Sequence, residues 1–251
     1  SRGGVGDRGR GRKRERERDA VVRCVMSASR AAAAVKGAVV FLHGSGDNGA
    51  NFRAAMSAEP LVRNLQARGV RFEFPSANPI RYTIAGHVES VWFDRLSMEP
   101  SSPEQTETVE RSVEQVELVI DDLVASGVPP SRVAVGGFSM GGGLALQLAL
   151  RTKHGLAGVF SLSSYMCDRA KALRELEDGR RGPAASVPRI WMAHGADDDF
   201  VLPSWGKATS EALGGLGVDV SWREYAGLGH SLRGTDELAD LEDFLCGQLG
   251  L

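Results

Sequence analysis

VAVGGFSMGGGLALQLAL, residues 133–150, reads as a buried strand, a sharp turn and an apolar helix in immediate succession. Five residues of it, Gly137-Phe138-Ser139-Met140-Gly141, follow the pattern Gly-x-Ser-x-Gly. A serine at the apex of a strand-to-helix turn needs a strained backbone, and the residues two positions to either side crowd each other unless they lack side chains. Gly137 and Gly141 meet that need. The pattern alone is short enough to arise by chance in a Gly-rich chain, so its specificity comes from the strand before it and the helix after it.

Outward from this segment, strands and helices alternate. Ala38 to Leu42 (AVVFL) has the continuous apolar character of a strand covered on both faces, and Val21 to Met26 reads as an edge strand. Residues 51–69 carry a helix pattern, followed by a strand at Val70–Phe74 and a Pro-rich loop at Pro75–Pro79. Val109, Val113, Val116, Ile120 and Leu123 recur at steps of three and four, which predicts a helix from near Pro103 to near Gly127. Strands are predicted at Arg132–Gly136, Leu156–Leu162, Arg189–Ala193 and Val218–Tyr225. Helices are predicted over Met140–Leu150, from near Pro203, and from Thr235 with Leu238, Leu241, Phe244, Leu245 and Leu249 on one face. Such alternation implies an α/β fold with a mostly parallel central sheet and helices on both faces, its chemistry in the loops beyond the strands' carboxyl ends.

The 251 residues suit one domain, expected over 20–251, and the formal charge of −2 gives no general affinity for nucleic acid. Residues 1–25 hold nine Arg or Lys and four Asp or Glu, so the segment SRGGVGDRGRGRKRERERD (1–19) is expected to be a disordered basic tail. No leader or membrane-spanning stretch is predicted. Cys24, Cys167 and Cys246 are scattered, without the spacing of a disulfide pair or a metal site, which fits a reducing compartment.

A serine hydroxyl needs a base, and the base needs a carboxylate to orient it. In the α/β-hydrolase fold, which the strand-turn-helix serine resembles, the chain order is serine, acid, histidine. His43 and His87 precede Ser139, His154 leaves no room for an acid-bearing strand, and His194 sits at a strand end where packing is its expected role. His230 remains, in the Gly-rich loop AGLGHS (226–231) between the last strand and the last helix. The acid should follow a late strand. Asp197, Asp198 and Asp199 all do, and repulsion forbids burying more than one; strand logic does not choose among them. Asp219 is taken as structural, within the following strand. The amide of Met140, next to the nucleophile, and that of Ser45, in the Gly-rich loop HGSGD (43–47), are the candidate donors for a developing oxyanion.

Five collinear segments, FLHGSGD (41–47), VWFD (91–94), GGFSMGG (136–142), HGADDDFV (194–201) and GLGHS (227–231), resemble the acyl-protein thioesterase and lysophospholipase family of carboxylesterases. The resemblance implies a cofactor-free serine hydrolase, with neither metal nor organic cofactor. It places the acid at Asp198, four positions after the histidine of the His-Gly pair, and keeps Ser45 and Met140 as oxyanion amides. Trp92 and Phe93, with Asp94, would line the acyl side of the pocket. Ser45 and Asp199, where thioesterases carry leucine and proline, lean towards the lysophospholipase-like branch. The implied substrates are acylated proteins, lysolipids or small esters, met in the cytoplasm with no more than transient membrane contact. The competing reading is a hydrolase-fold receptor or scaffold in which catalysis is incidental.

Overall fold

The computed structural model describes residues 35–180 and 183–251. The tail at 1–19 and the strand expected at Val21–Met26 lie outside the described residues. In chain order, β1 (Gly37–Leu42) leads to helices α1 (Gly49–Met56) and α2 (Pro60–Ala67), then β2 (Val70–Glu73), a hairpin β3 (Pro79–Tyr82) and β4 (His87–Ser90), and α3 (Thr106–Ala125). The remainder is β5 (Val133–Phe138), α4 (Met140–Ala149), β6 (Gly158–Leu162), α5 (Lys171–Glu177), β7 (Ile190–Gly195), α6 (Pro203–Gly215), β8 (Val220–Tyr225) and α7 (Thr235–Leu249).

Six strands form one sheet in the order β2-β1-β5-β6-β7-β8, every neighbouring pair parallel. Alternation along each strand divides the core in two. Ala38, Val40 and Leu42 of β1 and Val133 and Val135 of β5 join Val109, Val113, Val116 and Ile120 of α3 and Leu144 and Leu148 of α4 on one face. Val39 and Phe41, with Ala134, Phe160 and Leu162, join Phe52, Leu65, Leu241, Leu245 and Leu249 on the other. The near-continuous apolar strands are the direct consequence of cover on both faces.

Several local expectations are corrected. The helix pattern at 51–69 is two helices, because Pro60 has no N–H to continue α1 and instead starts α2. Residues 79–90, where the sequence pattern predicts no element, form an antiparallel hairpin whose turn is closed by the Gly86 N–H to the Tyr82 carbonyl, 2.9 Å, with Gly86 at φ 75°. Lys171–Glu177, likewise without a predicted element, is helical. Asp219 lies just ahead of β8, exposed and 3.7 Å from Arg189, not within the strand. Among the described residues no helix is long and apolar enough to cross a membrane.

Candidate active site

The turn from β5 to α4 sets Ser139 at φ 54°, ψ −123°; among the described residues, Ser163 is the one other non-glycine with positive φ. The conformation costs on the order of 1–3 kcal/mol and persists because its surroundings allow nothing else. A β-carbon on Gly137 would lie 2.3 Å from the carbonyl carbon of Gly141, and one on Gly141 would lie 2.4 Å from the Leu42 carbonyl oxygen. Gly141 therefore admits not only the turn but the end of β1, which brings the loop after β1 against the serine. In that loop, a β-carbon on Gly44 would stand 3.4 Å from Ser139 Cβ.

The loop is fastened by a residue that the sequence reading set aside. His43 is fully buried, and burial holds its pKa below the ordinary histidine value, so the ring is neutral. The hydrogen-bond network assigns its tautomer: Nδ1–H donates to the Gly44 carbonyl, 2.7 Å, and Nε2 accepts from the Ala77 N–H, 3.0 Å. Trp92 is equally inward-facing, 1% exposed, its indole N–H donating to the His43 carbonyl at 2.9 Å and its ring 5.0 Å from the imidazole. Phe93, by contrast, lines a small cavity with Asp94, Gly143 and Tyr165. The N–H groups of Ser45 and Met140 donate to no acceptor among the described residues; Met140 follows Ser139 in the chain, and Ser45 follows Gly44, the residue that packs against Ser139. Gly46, next to Ser45, is tied to the hairpin through its N–H to the Ser90 carbonyl, 3.0 Å.

The three remaining residues meet at the carboxyl end of the sheet. His230 Nε2 is 3.0 Å from Ser139 Oγ, and its Nδ1 is 2.7 Å from Asp198 Oδ2. Asp198 is 3% exposed whereas Asp197 and Asp199 are exposed, so one of the three aspartates is turned inward. Its second oxygen accepts the N–H groups of Phe200 and Val201, 3.0 and 2.8 Å, which locks the carboxylate in place. His194, buried and kept neutral by burial, directs Nε2–H to the Val201 carbonyl at 2.8 Å, beside Asp198. Phe138 and Phe200 flank the His230 ring, with centroids at 4.8 and 5.1 Å. The acid loop and the base loop touch backbone to backbone: Asp197 N–H donates to the Leu228 carbonyl, 2.9 Å, and a β-carbon on Gly195 would stand 2.1 Å from that same oxygen. A hydroxyl, an imidazole and a carboxylate linked in this order, beside two unengaged amides, form an arrangement suited to acyl transfer.

A profile of the phospholipase/carboxylesterase family matches residues 24–248. The chain belongs to this family. It is 33% identical to lysophospholipase-like protein 1 of Mus musculus over 228 residues, which cover 90% of this chain and 92% of that protein. It is also 33% identical to acyl-protein thioesterase 1 of Gibberella zeae, over 84% of this chain and 90% of that one. Among solved structures, Arabidopsis thaliana SOBER1 superposes with a TM-score of 0.73 at 27% identity, covering 85% of this chain and 99% of its own. As a phospholipase/carboxylesterase family member the protein is a serine hydrolase of the α/β-hydrolase fold, as the motifs implied.

Proposed function

We propose that this protein hydrolyses esters and thioesters of acyl chains, carried on proteins, lysophospholipids or small alcohols, through an acyl-enzyme formed on Ser139. The observation that carries this reading is the hydrogen-bonded chain from Asp198 through His230 to Ser139. Ser139 Oγ attacks the carbonyl carbon as its proton passes to His230 Nε2. Asp198 stabilises the imidazolium and fixes the tautomer in which Nδ1 carries the hydrogen. The negative oxygen of the tetrahedral intermediate accepts from the N–H groups of Ser45 and Met140, donors of a kind whose individual loss costs about 10²–10³ in rate. As the carbon–oxygen or carbon–sulfur bond breaks, His230 returns the proton to the leaving alcohol or thiol; water then repeats the sequence and releases the acid.

A fluorophosphonate probe tests the reading without knowledge of the substrate. The folded protein should be labelled stoichiometrically, and Ser139→Ala should not be labelled at all. An unlabelled wild-type protein, or label surviving in the variant, would leave the fold as a receptor or scaffold. Esters of rising acyl length, with Ser139→Ala as the blank, then define the chain preference.

The contact between the acid and base loops gives a further expectation. Gly195→Ala forces its methyl group against the Leu228 carbonyl and displaces the loop that carries His230. A shift of about 1 Å at the reacting centre is enough for a loss near 10²-fold in kcat. Steady-state kinetics on a soluble ester checks it, and wild-type kcat in the variant would mean that the two loops are not coupled.

A further inference from the structure

His194 stands at the end of β7 and is fully buried. Its ring is wedged in place: Trp222 packs beside it with centroids 5.7 Å apart, and a β-carbon on Gly206 of α6 would lie 2.7 Å from Nδ1. Packing is the role that chain order leaves to it, but an apolar ring would serve packing equally well. A buried imidazole carries a desolvation cost that an apolar ring does not, unless its polar atoms are engaged. Nδ1 is not engaged; it has no hydrogen-bond partner among the described residues.

The polar work of this ring therefore falls on Nε2. It lies 2.8 Å from the Val201 carbonyl oxygen and 3.3 Å from Asp198 Oδ2. A carbonyl and a carboxylate only accept, so Nε2 carries the hydrogen and shares it between them. Both acceptors belong to the acid loop. Val201 closes the arrangement, since its N–H donates to Asp198 Oδ1 at 2.8 Å while its carbonyl accepts from His194. Oδ2 thus faces two imidazoles, His230 at 2.7 Å and His194 at 3.3 Å. Burial holds His194 neutral, and a charged ring would bury a second N–H at Nδ1 with no acceptor. Neutrality matters here: an N–H dipole restrains the carboxylate without cancelling the negative charge that stabilises the His230 imidazolium.

We propose that His194 is a positioning residue for the reaction, holding Oδ2 of Asp198 through Nε2–H at the place from which it orients His230. This rests on the reading of Ser139, His230 and Asp198 as the reacting triad. His194 touches neither the substrate nor Ser139 in that scheme and acts only through the acid.

The test pairs His194→Phe, which keeps a ring but removes the donor, with His194→Gln, whose side-chain N–H lies as many bonds from Cα as Nε2. On a soluble ester, His194→Phe should lower kcat by about 10–100-fold with KM unchanged, the rate equivalent of one hydrogen bond to a charged group. His194→Gln should restore most of that loss. Wild-type kcat in His194→Phe overturns the proposal, and so does an equal loss in both variants, which would mean that the ring serves packing alone. Where His194→Phe fails to fold, nitrogen NMR of the wild-type protein with labelled histidine decides: His194 should be neutral at pH 7 with its hydrogen on Nε2, and a ring that is charged or protonated at Nδ1 alone overturns the proposal. Fluorophosphonate labelling separates the two readings. A wild-type protein that does not label strikes the triad itself, whereas a labelled wild type matched in rate by His194→Phe strikes only the role of His194.

Discussion

Asp198→Asn is expected to lower kcat by about 10⁴-fold with little change in KM, while Asp197→Asn and Asp199→Asn remain close to wild type. The size follows from the hydrogen-bond inventory around the carboxylate. Asp198 accepts at both oxygens: from Phe200 and Val201 N–H on one side and from His230 Nδ1–H on the other. An asparagine has a single acceptor oxygen. If that oxygen keeps the two backbone donors, the amide group faces His230 and donates to Nδ1, which drives the ring proton to Nε2. Nε2 then has no lone pair for the Ser139 proton, and the base is disabled with the geometry intact; loss of the acid at such a site costs about 10⁴ in other enzymes. If the amide is flipped, its hydrogens meet the Phe200 and Val201 N–H groups, which is worse. The neighbouring aspartates are exposed and face solvent, so their charges are screened and their removal changes little. Kinetics of the three variants on one soluble ester, run side by side, checks the assignment. A loss of this size in the Asp197 or Asp199 variant instead would move the acid by one residue.

That experiment falls where the sequence was least able to speak. Ser139 was legible because its requirements are local: a strand before it, a helix after it, and two glycines where a β-carbon would strike backbone. His230 was legible from chain order and a Gly-rich loop. Asp198 was not, because three adjacent aspartates are chemically equal until the loop folds, and only the resemblance to a family pointed to it. What separates them is an Asx-type turn, Asp198 to Phe200 and Val201, that no periodicity encodes. The same holds for His43, discarded as a base on chain order: its work depends on Ala77, 34 residues away. The hairpin Pro79–Ser90 escaped notice because its strands have four residues each and stay largely exposed, so they lack the alternation that burial imposes. The parallel sheet with helices on both faces, by contrast, follows from apolar runs alternating with helix patterns, which is why that much of the architecture was legible; the order of its strands was not.

The second large effect concerns stability. Glu237 lies in the first turn of α7, just after the loop that carries His230, with its side chain fully buried and neither carboxylate oxygen hydrogen-bonded. It borders a cleft of about 400 Å³ together with Arg223, Tyr225, Arg233 and Asp236. Arg223 and the Tyr225 hydroxyl are both committed to Asp240, at 2.9 and 2.5 Å, and do not compensate a charge on Glu237. Burial alone pushes Glu237 up to about 8. The folded protein therefore holds this proton up to about pH 8, whereas the unfolded chain, with an ordinary glutamate near 4.5, releases it much earlier. Between those two values the folded state binds more protons, so stability falls as pH rises through the interval and is fully reduced above about pH 8. At about 1.4 kcal/mol for each tenfold change in proton affinity, the cost on the alkaline side is of order 4–5 kcal/mol. Glu237→Gln keeps the shape and removes the titration. Its stability by urea unfolding should match wild type within about 1 kcal/mol at pH 5, the residual cost of a buried amide, and exceed it by several kcal/mol at pH 9. Because Leu228 of the His230 loop packs against Gly234 at the entrance to α7, the variant should also retain ester hydrolysis at alkaline pH beyond the point where the wild-type protein loses it. Parallel stability curves for the two proteins from pH 5 to 9 would mean that the carboxyl group finds a partner, and the cleft would then be a site of charge pairing instead of a proton store.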